Sequence, residues 1–131
     1  MIITDASAVV EWLLGGPRGE AVARVLEDQE ILAPAHLDVE VAQVTRRLTR
    51  SAVITPARGR AMLELLGEAP VRRIPVAPLL PRIWTLRENL TAYDAAYVAL
   101  AEAVEAPLLT FDRKIPATPG HTARIRVPGR E

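Results

Sequence analysis

Residues 91–112 read TAYDAAYVALAEAVEAPLLTFD, and this stretch decides the fold. From Thr91 to Glu105 the chain is rich in alanine, with Val98, Leu100 and Val104 among it, and this is the strongest helix signal in the sequence. Pro107 ends the helix, because it lacks the N–H that a helix interior needs. The run from Pro107 to Phe111 then reads as a short buried strand, and Asp112 closes it.

The same alternation extends to both sides. Met1 to Thr4 is a short apolar strand, Asp5 follows it, and Ala6 to Leu14 reads as a helix closed by Gly15, Gly16 and Pro17. Arg18 to Gln29 sets Val22, Val25 and Leu26 at helical spacing. Ile31 to Ala33 is a second strand stopped by Pro34. His36 to Arg50 repeats Leu37, Val41, Val44 and Leu48 every three or four residues, and a further helix runs from about Pro56 to Leu66. Val71 to Val76, between Pro70 and Pro78, reads as a third strand, Leu79 to Asn89 as helix, and Ala123 to Val127 as a short fifth strand. Strands separated by helices of this length require right-handed crossovers and a parallel sheet covered on both faces. The expected class is α/β, a three-layer α/β/α sandwich with a central parallel sheet, in one domain spanning 1–131.

Composition narrows the function. The chain has 131 residues, half of them apolar, which suffices for a single core and leaves no room for a second domain. The 16 basic residues equal the 16 acidic ones, so no global field draws the chain to nucleic acid or membrane. Of those cations 15 are arginines and only Lys114 is a lysine. Without cysteine there is no disulfide framework, thiolate metal site or cysteine nucleophile. The N-terminal residues lack a basic n-region, and no run approaches the roughly 18 apolar residues of a membrane span, so a soluble cytoplasmic protein is expected.

Three aspartates recur in one kind of place. Asp5 follows the first strand, Asp112 follows the fourth, and Asp94 lies in the first turn of the Ala-rich helix. In open parallel sheets, ligands bind beyond the carboxyl ends of strands. Glu40 lies one turn into the helix after the second strand, near the same rim, between Val39 and Val41. Each acid also has a plainer reading. Asp5 or Ser7 is a natural cap for the helix starting near Ala8, and Thr91 to Asp94 resembles a capping box. Glu40 flanked by core positions needs a partner or a metal, and Asp112 pairs readily with Arg113 and Lys114 in a local turn. Jointly, four acids on one rim repel one another unless cations lie between them. Carboxylates without cysteine, and with only His36 and His121, are hard ligands suited to magnesium or manganese, which points to phosphoryl chemistry.

These residues carry a resemblance. IITDASAVVEWLL resembles the first motif of the PIN-domain family with its acid at Asp5, PAHLDVEVAQVTRRL resembles the second with Glu40, and LTAYDAAYVALAEAVEAPLLTFDRKI resembles the third and fourth with Asp94 and Asp112. Within the family the chain is similar to VapC-type toxin ribonucleases of type II toxin–antitoxin pairs, over about Met1 to Ile115, and GHTARIRV looks like the closing strand.

The resemblance implies a Mg²⁺- or Mn²⁺-dependent endoribonuclease acting on RNA, a homodimer, and inhibition by a cognate VapB-type antitoxin. In that reading Asp5, Glu40, Asp94 and Asp112 are the catalytic acids, with Asp5, Asp94 and Asp112 as metal ligands and Glu40 orienting the attacking water. Ser7 and Thr110 are candidates to position a water or a phosphate, though helix capping and an ordinary strand role compete. Arg46, Arg47 and Arg50 share a helix with Glu40, with Arg47 roughly on its face; they are candidates for substrate phosphate, against a solvated helix face paired with neighbouring acids, and Arg113 and Lys114 beside Asp112 are the other candidates. Trp12, Tyr93, Tyr97 and Phe111 are candidate stacking surfaces for bases or core residues; His36 and His121 read as structural. The competing class is a PIN-like binding module that uses the acidic rim to hold a metal or an antitoxin without cleaving anything. A doubly wound nucleotide-binding domain is disfavoured, because DASAVV stands where a Gly-rich phosphate loop would be.

Overall fold

Ile2 and Ile3 are wholly inaccessible to water, and they form the centre of the sheet. The computed structural model describes residues 1–130. In chain order the elements are β1 (Ile2–Thr4), α1 (Ala6–Leu14), α2 (Gly16–Leu26), β2 (Ile31–Pro34), α3 (Leu37–Arg50), α4 (Pro56–Glu68) and β3 (Val71–Ile74). A short 3-10 turn (Ala77–Leu79) follows, then α5 (Leu80–Thr85), α6 (Ala92–Val104), β4 (Leu108–Leu109), α7 (Lys114–Ala117) and β5 (Ile125–Arg126). The sheet is parallel throughout, in the order β3-β2-β1-β4-β5. Ile3 pairs with Leu32 on one side and Leu108 on the other, so β1 is flanked by apolar backbone on both edges. Strands buried on both faces need continuous rather than alternating hydrophobicity. The sequences IIT, ILAP and LL meet that requirement.

The strand order has a consequence for function. From β1 the chain moves outward through β2 to β3, then returns across the sheet to β4 on the other side of β1. The direction of winding reverses between β1 and β4, which opens a crevice beyond their carboxyl ends. α6 lies against β1, β2 and β4, and its residues Ala95 to Ala101 are all buried, so alanine is what allows the helix to approach the sheet from several sides at once. α1 packs against α2, α3 and α4.

The sequence expectation of a parallel α/β sandwich holds, and the boundaries differ in places for identifiable reasons. α2 starts at Gly16 rather than Arg18, since Pro17 fits the first turn of a helix, where its missing N–H has no partner to lose. β2 includes Pro34, which pairs with Ile74 as the last residue of the strand. β3 ends at Ile74, not Val76, because Pro75 cannot extend the ladder. The helix expected from Leu79 to Asn89 is a 3-10 turn and the short α5. β4 and β5 are each two residues long, and α7 was not foreseen.

Two glycines set the α1–α2 corner. Gly15 and Gly16 have φ of 79° and 73°, in the left-handed region that glycine adopts without penalty. One turn later, a Cβ on Gly19 would lie 2.4 Å from the carbonyl oxygen of Glu11. α2 therefore rests directly on the backbone of α1. Gly19→Ala is expected to destabilise the protein by about 1–3 kcal/mol through overpacking, measured as a lower midpoint in urea denaturation with an unchanged slope.

Candidate active site

All four acids singled out in the sequence, Asp5, Glu40, Asp94 and Asp112, line a single cavity of about 320 Å³ at the crevice between β1 and β4. Asp5 is the innermost of them, only 5% exposed. Its Oδ1 accepts hydrogen bonds from the Ala8 N–H at 3.0 Å and from the Ser7 hydroxyl at 2.7 Å, while Oδ2 accepts one from the Thr110 hydroxyl. The capping reading of Asp5 holds, and the cap does not take it out of the cavity: one oxygen caps α1, and the same carboxylate lines the cavity.

Ser7 and Thr110 bind the two strand ends together. The Ser7 hydroxyl accepts the Phe111 N–H at 3.0 Å, and the Thr110 hydroxyl accepts the Asp112 N–H at 2.9 Å. Thr110 has no exposed surface, so the contact with water or phosphate expected for it is corrected: its hydroxyl is committed to Asp5 and to the backbone of Asp112. Ser7 does line the cavity. Burial pushes the Asp5 carboxyl up to about 6, against the pull of Thr110, Ser7 and Ala8, and the charge of Asp94 adds to the rise.

Asp94 lies in the first turn of α6, where the Thr91 hydroxyl accepts its N–H at 3.2 Å as a helix cap. Its carboxyl is raised by burial and then by Asp112 and Glu40 across the cavity. Glu40 behaves differently. Burial pushes it up, but bonds from His36 and Tyr97 outweigh that and hold it below the usual range. The Tyr97 hydroxyl donates to Glu40 Oε1 at 2.6 Å, and His36 Nε2 lies 3.0 Å from the same oxygen and 3.1 Å from the Tyr93 carbonyl. Both neighbours of Nε2 are acceptors, so that nitrogen carries the hydrogen, and the buried Nδ1 is left without a partner.

The sequence reading treated His36 as structural and Tyr97 as a stacking or core residue, and so missed their role in holding Glu40. The spacing could have revealed it, since His36 and Glu40 are four residues apart on one helix face and Asp94 and Tyr97 three apart on another. Val39, read as a core neighbour of Glu40, is 72% exposed; what partners Glu40 is Tyr97 of α6 and His36 at the start of its own helix. Phe111, read as a candidate stacking surface, also lines the cavity, as do Glu11, which lies in the first motif without having been singled out, and Arg18, which lies in none. Arg47 is exposed and borders an adjoining depression with Glu40, Val44 and Tyr93, and Arg113 is exposed just after Asp112.

Among the described residues, no three His, Asp or Glu side chains gather closely enough to hold a metal ion by themselves. The donor set still fits a hard divalent cation. All four acids offer oxygen alone, and like charge raises Asp94 and contributes to the rise at Asp5. A cation of the magnesium type relieves that repulsion, and it takes few protein carboxylates and completes its shell with water and phosphate.

A model of the PIN domain matches residues 2–120. Ribonuclease VapC12 of Mycobacterium tuberculosis is 42% identical over 127 residues, covering 97% of this chain and 98% of its own length. Among solved structures, FitAcB of Neisseria gonorrhoeae superposes with a TM-score of 0.74 at 17% identity, covering 100% of both chains. A toxin–antitoxin complex from Klebsiella pneumoniae gives a TM-score of 0.65 at 17% identity over 96% of each chain. The two structural likenesses bear on the fold.

The raised Asp5 has a thermodynamic signature. Between the unfolded value of 3.8 and about 6, the folded carboxyl keeps a proton that the unfolded chain has released. Stability is therefore greatest below that window and declines as pH rises through it. In metal-free buffer at pH 7.5, Asp5→Asn is expected to be more stable than wild type by on the order of 2 kcal/mol, read as a Tm several degrees higher. The difference should close below pH of about 4, and added Mn²⁺ should raise the Tm of wild type but not of the variant.

Proposed function

This chain belongs to the PIN-domain family, among its VapC ribonucleases, and on that premise we propose that it is the endoribonuclease toxin of a toxin–antitoxin pair, using Mg²⁺ or Mn²⁺. The observation that carries this reading is the convergence of Asp5, Glu40, Asp94 and Asp112 on one cavity at the switch point of the sheet. The wider proposal is a single catalytic domain that works as a homodimer in the cytoplasm and is restrained by a cognate VapB-type antitoxin. Among the described residues no helix is long and apolar enough to cross a membrane.

In this mechanism Asp5, Asp94 and Asp112 would hold the cation, with water completing what the three carboxylates do not supply by themselves. When bound there, it supplies charge neutralisation at the scissile phosphate and makes water more acidic. Glu40, kept ionised by His36 and Tyr97, accepts a hydrogen bond from the attacking water and orients it in line with the departing oxygen. The water oxygen bonds to phosphorus as the bond to the ribose oxygen breaks, the water proton passes to Glu40, and the departing ribose oxygen takes up a proton from solvent. Ser7 and Thr110 act on Asp5: they fix its rotamer, leaving the edge of the carboxylate that faces the cavity in a constant place. Arg47, exposed in the depression that shares Glu40 with the cavity, and Arg113, exposed next in sequence to Asp112, suit phosphates beyond the scissile one.

Purified protein freed of any partner should cleave RNA in Mg²⁺ or Mn²⁺ and lose cleavage with EDTA. Asp94→Ala should reduce the rate by about a hundredfold or more, since even outer-shell partners of metal ligands are worth about 10–100-fold. A wild-type protein that binds Mn²⁺ and leaves RNA intact would instead be a silent binding module. Thr110→Val removes the donor to Asp5 and the acceptor for Asp112 N–H while leaving the packing volume intact. It is expected to lower the cleavage rate roughly 10–100-fold with an unchanged circular dichroism spectrum.

A further inference from the structure

The cavity is lined by five carboxylates, Glu11 in addition to the four catalytic ones, and by one cation, Arg18. A strand of RNA entering it brings a negative charge on every nucleotide. Divalent metal offsets charge at the scissile phosphate, but the neighbouring phosphates face an acidic wall. Arg18 is the group in the lining that can meet them.

Its geometry is suited to that. The guanidinium lies over the Phe111 ring, 4.2 Å from the centroid, and its side chain is 61% exposed. Its ion pair with Glu11 is long, at 3.9 Å, and leaves most of its donors open. Stacking occupies the face of the guanidinium plane and keeps the in-plane N–H groups free for a bidentate phosphate contact. Both supports of Arg18 are rigid. Phe111 is tied by its N–H to the Ser7 hydroxyl, the same hydroxyl that donates to Asp5. On the helix side, Gly19 seats the first turn of α2 on the backbone of Glu11. The guanidinium is thereby held in register with Asp5 and Asp112 from two directions.

We propose that Arg18, stacked on Phe111, is a substrate-positioning residue that binds a backbone phosphate adjacent to the scissile one. The inference rests on the ribonuclease reading for its ligand and adds a residue that none of the acidic motifs contains. Arg18 makes no contact with the reacting atoms; it sets where the strand lies relative to the four acids.

The test uses a fluorescently labelled single-stranded RNA oligonucleotide with the full chain. Arg18→Ala should raise KM about tenfold and change kcat less than about threefold, the pattern of lost uniform binding. In the non-cleaving Asp94→Asn background, the same substitution should make the dependence of log affinity on log salt shallower by about 0.7, the value for one phosphate contact on a single strand. Arg18→Lys should restore the salt dependence and only part of the affinity, and Phe111→Leu should raise KM less than Arg18→Ala does. An unchanged KM and salt slope in Arg18→Ala would overturn the proposal, as would a fall confined to kcat. If wild type cleaves no RNA, the ribonuclease reading fails by itself, and the salt slope of oligonucleotide binding still decides for or against Arg18. Unaltered RNA binding with weakened binding of the cognate antitoxin would reassign Arg18 to a protein carboxylate and overturn the phosphate proposal.

Discussion

A buried, hydrogen-bonded carboxylate at the end of the central strand is the constraint on which the rest of the site depends. Asp5 is 5% exposed, and three donors from two different segments hold it: Ala8 and Ser7 after β1, and Thr110 after β4. A carboxylate removed from water costs free energy unless such donors surround it. The donors are available only because β1 and β4 are neighbours in the sheet, which follows from the point where the winding reverses. The geometry of the acidic cavity and the sheet order are therefore one feature. The remaining cost is visible in the carboxyl of Asp5, which burial pushes up despite these donors.

The two halves of the acidic cavity are tuned in opposite directions. Asp5 and Asp94 are pushed up by burial and like charge, which makes them ready partners for a cation. Glu40 is held down by His36 and Tyr97 and stays charged without one. Carboxylates kept apart in this way can divide the labour of holding a metal and orienting water.

The balance of 16 basic and 16 acidic residues conceals how unevenly the charges are used. Many of the arginines do not face a ligand at all. Arg58 donates to the carbonyls of Leu13 and Leu14, at the end of α1. Arg73 donates to the carbonyls of Leu66, Ala69 and Val71 and pairs with Asp38. Arg82 makes a two-pronged bond to Glu102, holding that carboxyl down at about 2, and also donates to the Gly120 carbonyl. The multiple planar donors of arginine satisfy helix ends that would otherwise leave carbonyls unpaired. Arginine's planar fork suits phosphate and carboxylate, and in Arg58, Arg73 and Arg82 it is turned on backbone carbonyls.

By itself the sequence determined the class of fold, because continuous apolar strands such as IIT and ILAP alternating with amphipathic or Ala-rich helices can bury their surface in few other ways. It also marked acids that the fold brings to one cavity, since Asp5, Asp94 and Asp112 each follow a strand or open a helix, positions readable one segment at a time. What only the tertiary structure decided lies between segments. That Thr110 turns inward to Asp5, that Tyr97 and His36 grip Glu40, and that Arg18 stacks on Phe111 are contacts across 57 to 105 residues of chain, except for the four-residue step from His36 to Glu40. Local pattern reports a residue's own element and its face. It holds no information on which side chain of another element will stand opposite, because that depends on strand order and helix placement, and these are set by the packing of the whole core.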